Sequence, residues 1–314
     1  MITHLVVPGL LGDLPRLGEL GELPRFPHLE MLLSRADTRP SPRGYAETLF
    51  QLFGLAPPEG ADLPTAAICY QAENNAEPLA GSFYLHADPV HLRPDQDRLL
   101  AFDFHHQPIT ENQARQFAEA FNAHFAEDGL RLLTPDASRW YLAATRVPDL
   151  RTQPLRDVLG RNVDLFLPEG GDARIWRAWM NELQMLFHSM PANQDREAQG
   201  QWPVSGLWLS GGGVAPDFEP IGFTAIEGDC LLAAGLQDLS GERQEAGLLL
   251  EQAVGRAVCD ADPPGWVEAV ADLDRRLADC LDEEIHLHPC GGRAWHWKPS
   301  MRWRLWRRVS RPFS

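Results

Sequence analysis

The densest run of side chains able to do chemistry lies between residues 86 and 106: His86, Asp88, His91, Asp103, His105 and His106. Imidazole and carboxylate together make a workable ligand set for a divalent metal. If residues 82–88 form a strand, His86 and Asp88 point to one face, because side chains alternate with period two. The plain alternative places His105-His106 in an exposed turn and leaves His91 as a hydrogen-bonded loop residue.

Two further stretches suit an anion. Asn193 and Arg196 fall in a polar segment after a Trp-rich run, and an arginine there can grip a carboxylate or phosphate bidentately. Trp208-Leu209-Ser210-Gly211-Gly212-Gly213 reads as a strand emptying into a glycine turn. Exposed amides of Gly211 and Gly212 can cradle an anion, as nests do. Val214-Ala215-Pro216 follows in place of a helix, so the dinucleotide-binding fingerprint is not met. A tight structural turn is the rival reading.

Common catalytic signatures are missing. There is no G-x-S-x-G, H-E-x-x-H, P-loop or paired-cysteine motif. Lys298 is the only lysine, which leaves Schiff-base and Walker-type chemistry almost no candidate. The five cysteines are scattered and odd in number, a usage that fits a reducing compartment. The apolar start lacks the basic n-region of a signal peptide, and no apolar run approaches the roughly 18 residues needed to span a bilayer. A cytoplasmic location is expected.

The net charge of −16 argues against broad nucleic-acid binding, which needs a positive face. That charge is unevenly placed. Residues 1–284 hold 21 basic against 44 acidic side chains, whereas the last thirty hold seven basic and none acidic. Arg302, Trp303, Arg304, Trp306, Arg307 and Arg308 interleave in that tail. Arginine and tryptophan together suit a protein partner or an anionic surface; the alternative is a closing segment whose arginines pair with the acidic body.

These residues need a scaffold. Residues 2–7 read as a buried strand closed by Pro8-Gly9, and 36–65 as a Pro/Gly-rich stretch with one short apolar helix near Leu49–Phe53. Strands are expected at 66–70, 82–86, 98–104, 130–133, 140–144 and 204–210. Thr110 and Gln113 form a capping box ahead of the helical stripe Ala114, Phe117, Ala118, Phe121, Phe125. Further helices are expected at 172–190, 242–254 and 263–281, the last capped by Asp262, with a hairpin over 284–297. Strands alternating with helices at both ends imply an α/β sheet carrying an inserted unit.

Several stretches together resemble the archaeal-type cofactor-independent phosphoglycerate mutases of the alkaline phosphatase superfamily. Val6-Val7-Pro8-Gly9-Leu10-Leu11-Gly12-Asp13 is similar to that family's first strand and D-G-L-G-D loop. Ala87-Asp88-Pro89-Val90-His91-Leu92, Asp97-Arg98 and Phe121-Asn122 resemble its inserted domain. Asn193-Gln194-Asp195-Arg196, Gly200 and Leu207 to Gly213 resemble its N-x-x-R…G…R-G-x-G passage, with Ser210 at the second arginine. The A-D-P-V-H-L run, the following D-R-L-L and the final W-R-R are closer still to bacterial RpfE-type regulatory proteins.

The resemblance implies an alkaline-phosphatase-like core sheet with helices on both faces, formed by residues 1–60 and 150–314, and a smaller inserted α+β domain over 61–149. It also implies an anion pocket drawn from His91, Arg98, Asn193 and Arg196. The departures concern the metals. Pro8 stands where the family's first-strand Asp belongs, there is no H-D or D-H pair, and the nucleophile region offers only Ser41 and Thr48. A two-metal mechanism clamps the attacking and leaving oxygens with its ions. The expectation is therefore a mutase-like binding or regulatory protein for a phosphorylated or anionic ligand, with no assured cofactor. The enzyme alternative needs relocated ligands for a divalent metal among Asp13, His86, Asp88, His91, Asp103 and His105. The remaining alternative is an interaction protein working through the tail.

Overall fold

A computed structural model describes residues 2–12, 22–56, 60–74, 82–214 and 217–310. The chain divides into two compact units: Met1–Pro57 with Glu219–Ser314, and Pro58–Phe218 between them.

The first unit is built on a six-stranded sheet. It contains β1 (Ile2–Val6), α1 (Pro27–Arg35), β2 (Asp37–Arg43) and α2 (Tyr45–Leu52) before the insertion. After it come β8 (Ile221–Glu227), α7 (Leu231–Asp238), β9 (Glu242–Leu250), α8 (Ala253–Cys259), α9 (Pro263–Cys280), β10 (Glu284–His288) and β11 (Gly291–Trp297). The strand order is β2-β11-β10-β1-β9-β8. β10, β1, β9 and β8 are parallel; β11 and β2 are antiparallel to their neighbours. Alternation sends Leu5, Val7, Ile285, Leu287 and Trp297 to one face, where Leu29, Leu32, Val254, Trp266, Val270 and Leu277 of α1, α8 and α9 bury them. On the other face Phe53 packs edge-on against Phe223, which meets His4.

The second unit contains α3 (Thr65–Asn74), β3 (Phe83–Asp95), β4 (Arg98–Phe102), α4 (Glu111–His124), β5 (Leu130–Leu133), β6 (Tyr141–Ala144), α5 (Ala173–His188), α6 (Pro191–Ala198) and β7 (Gly206–Gly213). Its sheet runs β4-β3-β6-β5, with β7 also on β3. Phe83, Leu85 and Ala87 of β3 face a core of Phe117 and Phe121 from α4 and Trp176, Leu183 and Phe187 from α5.

Thr110 accepts from the Gln113 amide while Gln113 returns the bond, forming the expected capping box of α4. Asp262 likewise caps α9, whose first turn takes Pro263 and Pro264. The expected 284–297 hairpin is β10–β11.

Other expectations give way to tertiary packing. Residues 242–250 form strand β9, not a helix, because Leu248, Leu249 and Leu250 sit between β1 and β8 in the parallel ladder. Residues 66–70 lie in helix α3, since a short buried apolar run satisfies either element. Residues 37–43, within the Pro/Gly-rich stretch, form strand β2. Its prolines are tolerated because it is the sheet's edge strand. The inserted unit extends to Phe218 rather than ending at 149. β7 pairs with β3 along Tyr84–Val90 and α5 shares the α4 core, so 150–218 packs with 58–149.

None of the five cysteines is joined in a disulfide. No helix among the described residues is long and apolar enough to cross a membrane.

Candidate functional site

The residues expected to bind an anion have other employment. Asn193, buried on α6, donates Nδ2 to the Phe187 and Val204 carbonyls at 2.8 and 2.9 Å. Its Oδ1 accepts the Val204 amide at 2.7 Å. Arg196, completely buried, donates Nε to the Trp202 carbonyl at 2.7 Å and Nη2 to the Gln107 carbonyl at 2.9 Å. Its Nη1 reaches Gln113 Oε1 at 3.0 Å and the Pro108 carbonyl at 3.3 Å. The guanidinium therefore staples two loops over the Phe104 ring. His91 stacks on Trp202, with Nδ1 3.1 Å from the Pro203 carbonyl. Arg98 is on the surface beside Asp95, 3.2 Å away. No convergent anion pocket forms from these four.

Gly211 and Gly212 do not form a turn; they lie within β7. Gly211, with φ of +63°, donates its amide to Thr152 Oγ1 at 3.1 Å. A Cβ on Gly212 would come 2.6 Å from the Phe83 ring, so glycine here permits close packing.

The sequence-dense His/Asp run does not assemble a metal centre either. His86 and Asp88 do share a face of β3, opposite the Phe83 core. His86 Nε2 bonds Thr65 Oγ1 at 3.1 Å, and its ring tilts against Tyr141. Burial pushes the His86 pKa down to about 4. Burial, with help from the Asp103 charge, raises Asp88 to about 7. His105 is exposed on a turn, and its ring meets that of His106. Asp13 lies outside the described residues.

Among the described residues one group of three metal-competent side chains appears, and it lies in the other unit: His4, His286 and His288. Parallel register places His4 opposite His286 and Val6 opposite His288. The antiparallel partner of His286 is His296, whose own partner is Asp37. Three imidazoles thus form one row across β1, β10 and β11, and His288 sits two residues further along the same face.

The geometry is close. One ring nitrogen from each of His4, His286 and His288 lies within 4.8 Å of the others, and His4 Nδ1 is 3.2 Å from His288 Nε2. His286 stacks on His296 with centroids 4.0 Å apart and meets His4 edge-on at 4.7 Å. Glu284 Oε1 stands 3.4 Å from His286 Nε2. His288 is 5% exposed, and its Nδ1 has no hydrogen-bond partner. Burial, reinforced by the neighbouring imidazoles, lowers His4 to about 4 and His288 to about 3. Burial also lowers His286 and brings His296 to about 4. Neutral imidazole is the form that ligates metals. The sequence signal for this group was His286-x-His288 on a strand, a period-two pair whose third member, His4, is 284 residues from His288.

The end of β1 is different. Val7, Pro8 and Leu10 are buried. Gly9, with φ of +79°, lies so close to α8 that a Cβ would come 3.1 Å from Val258 Cγ2 and 3.2 Å from Gly255 Cα. This is filled apolar core. Pro8 has no ligand atom to offer, so the two-metal set implied by the resemblance does not fit here. Of the two hydroxyls in the nucleophile region, Thr48 donates to the Gly44 carbonyl at 2.7 Å, and Ser41 Oγ is buried without a partner.

The basic tail is tied down in part. Arg304 grips Asp37 through both terminal nitrogens at 2.5 and 3.0 Å, holding that carboxyl below the usual range. Arg302 meets Asp282 at 2.5 Å, and Arg307 donates to the Ala36 carbonyl at 2.7 Å. Trp303 and Trp306 remain 72% and 77% exposed, and Arg308 is exposed.

No family model matches the chain. It is 22% identical over 187 residues to the 2,3-bisphosphoglycerate-independent phosphoglycerate mutase of Methanosarcina mazei, covering 56% of this chain and 46% of that protein. The mutase of Methanosarcina acetivorans is 22% identical over 209 residues, covering 62% and 50%. The chain thus spans about half the length of these curated relatives. The solved structure of the PH0037 protein from Pyrococcus horikoshii superimposes with a TM-score of 0.52 at 14% identity, covering 94% of this chain and 87% of that one. The mixed α/β fold is therefore shared, and the chain is a distant homologue of archaeal cofactor-independent phosphoglycerate mutases.

Proposed function

We propose that this chain is a mutase-like binding or regulatory protein, of the RpfE type, that does not carry out two-metal phosphoryl transfer. One observation carries this reading. Where the resemblance calls for an aspartate at the end of β1, the chain has Pro8, buried between Val7 and a Gly9 that lies close against Gly255 and Val258. A metal-bridged phosphoryl transfer needs carboxylate and imidazole ligands around the reacting oxygens. A turn filled with valine and leucine supplies none. The enzyme alternative loses support because its proposed ligands His86, Asp88, His91, Asp103 and His105 form no three-residue group.

The test is conversion of 3-phosphoglycerate to 2-phosphoglycerate by the full chain, with Mg2+, Mn2+ or Co2+ present. The expected rate is indistinguishable from buffer, in wild type and in Ser41→Ala alike. Turnover that Ser41→Ala abolishes, accompanied by two bound ions per chain, would overturn the reading.

A further inference from the structure

We infer that His4, His286 and His288 form a binding site for one zinc-class divalent ion, held by three imidazoles on the face of the six-stranded sheet that carries Phe223. Nothing in the mutase resemblance supplies this site. That resemblance places its first metal ligand at Pro8, beyond the end of β1, whereas His4 lies inside the strand.

The spacing suits such an ion. Zinc binds imidazole nitrogen at about 2.0–2.1 Å, which sets neighbouring nitrogens of a tetrahedral site about 3.3 Å apart. His4 Nδ1 and His288 Nε2 already stand at 3.2 Å. The His286 nitrogen starts no more than 4.8 Å from either, so a rotation bringing it in by about 1.5 Å completes three ligands. Three neutral imidazoles suit zinc, cobalt or nickel better than magnesium or calcium, which prefer oxygen. A fourth coordination position stays open.

The surroundings also fit. Glu284 beside His286 Nε2 is the kind of carboxylate that fixes the tautomer of a ligating histidine. His288 is the last residue of β10, and α/β sheets bind ligands toward the carboxyl ends of their parallel strands. A purely structural role explains the cluster poorly. Polar rings buried with few hydrogen bonds are costly, and His4 Nδ1 and His288 Nε2 face each other at 3.2 Å, where a shared ion would take a lone pair from each. Leucine or phenylalanine at these positions would fill the face without that penalty.

The experiment uses tag-free full chain, stripped with a chelator and dialysed against Zn2+ or Co2+. One ion per chain is expected, with the intense visible bands of tetrahedral Co2+. Zn2+ at a hundredfold excess over Kd should raise Tm by about 5 °C. His4→Gln and His288→Gln should each weaken binding at least a hundredfold, while His91→Gln in the other unit binds as wild type. His286→Gln, at a half-buried ligand, repeats the test should either of those variants fail to fold, with circular dichroism reporting folding. Failure of wild type to retain an ion, or full retention by folded His286→Gln, would overturn the site.

Discussion

Each of the two sheets buries histidine on one face, but in different company. On the five-stranded sheet His86 has Thr65 as its hydrogen-bond partner and lies against Tyr141, while Asn193 and Arg196 of the same unit are held by main-chain carbonyls. On the six-stranded sheet His4, His286, His288 and His296 lie chiefly against one another, and His288 Nδ1 faces no partner. Buried polar groups with their bonds made explain themselves as structure; those left short of partners ask for a ligand. In the long run of histidines and aspartates, His86 and His91 proved to be of the first kind, and His105 and His106 are exposed. The cluster of the second kind is assembled from the two ends of the chain.

The comparison is tested most severely where partners are most complete. Arg196→Met strands four acceptors inside the second unit and should lower stability by about 4 kcal/mol in urea unfolding. A loss below about 1 kcal/mol would mean that the guanidinium is not the staple its bonds suggest. Asn193→Ala removes three buried bonds that tie α6 to Phe187 and the Val204 segment, and should cost about 2–3 kcal/mol by the same measurement. Neither substitution should alter metal binding by the histidines of the other unit.

How much of this is legible in the sequence follows from where each signal resides. The capping box at Thr110 and the cap at Asp262 are local, and local chemistry reads directly from sequence. The edge strand β2 hid behind Pro40 and Pro42, and β9 behind its glutamate-rich start, because neighbouring strands and not propensity decided both. Asn193 and Arg196 stand out as unusual residues, but the role of Arg196 depends on carbonyls up to 89 positions away. The His4 cluster depends on β1 running parallel to β10 in one particular register, which no local pattern specifies.

Acidity separates groups within the second unit. Asp88 titrates near 7 when folded and near 3.9 when unfolded, so the folded state holds its proton more tightly. Its contribution is therefore complete below about pH 4 and is lost as pH rises through 7. Asp88→Asn should stabilise the protein by about 1–2 kcal/mol at pH 8 and have no effect at pH 4. His86 works in the opposite sense: its lowered pKa, about 4, removes stability as pH falls below about 6.5. In Asp88→Asn the acid-side loss should persist while the alkaline-side loss disappears. Unfolding curves at pH 4, 6 and 8 separate the two.

The smallest expected effect bears most directly on the contrast between the sheets. In chelator-stripped protein, His86→Leu deprives the Thr65 hydroxyl of its partner and should cost about 1 kcal/mol. His288→Leu removes a nitrogen that has no partner and substitutes apolar surface, so stability should stay within about 0.5 kcal/mol of wild type or rise. The bond to His4 that this variant gives up joins one imidazole to another, and it is weak compensation for a second nitrogen left dry. Added Zn2+ should then reverse the order by stabilising wild type and His86→Leu but not His288→Leu. If His288→Leu instead costs as much as His86→Leu without metal, His288 is an ordinary satisfied core residue and the two sheets do not differ in kind.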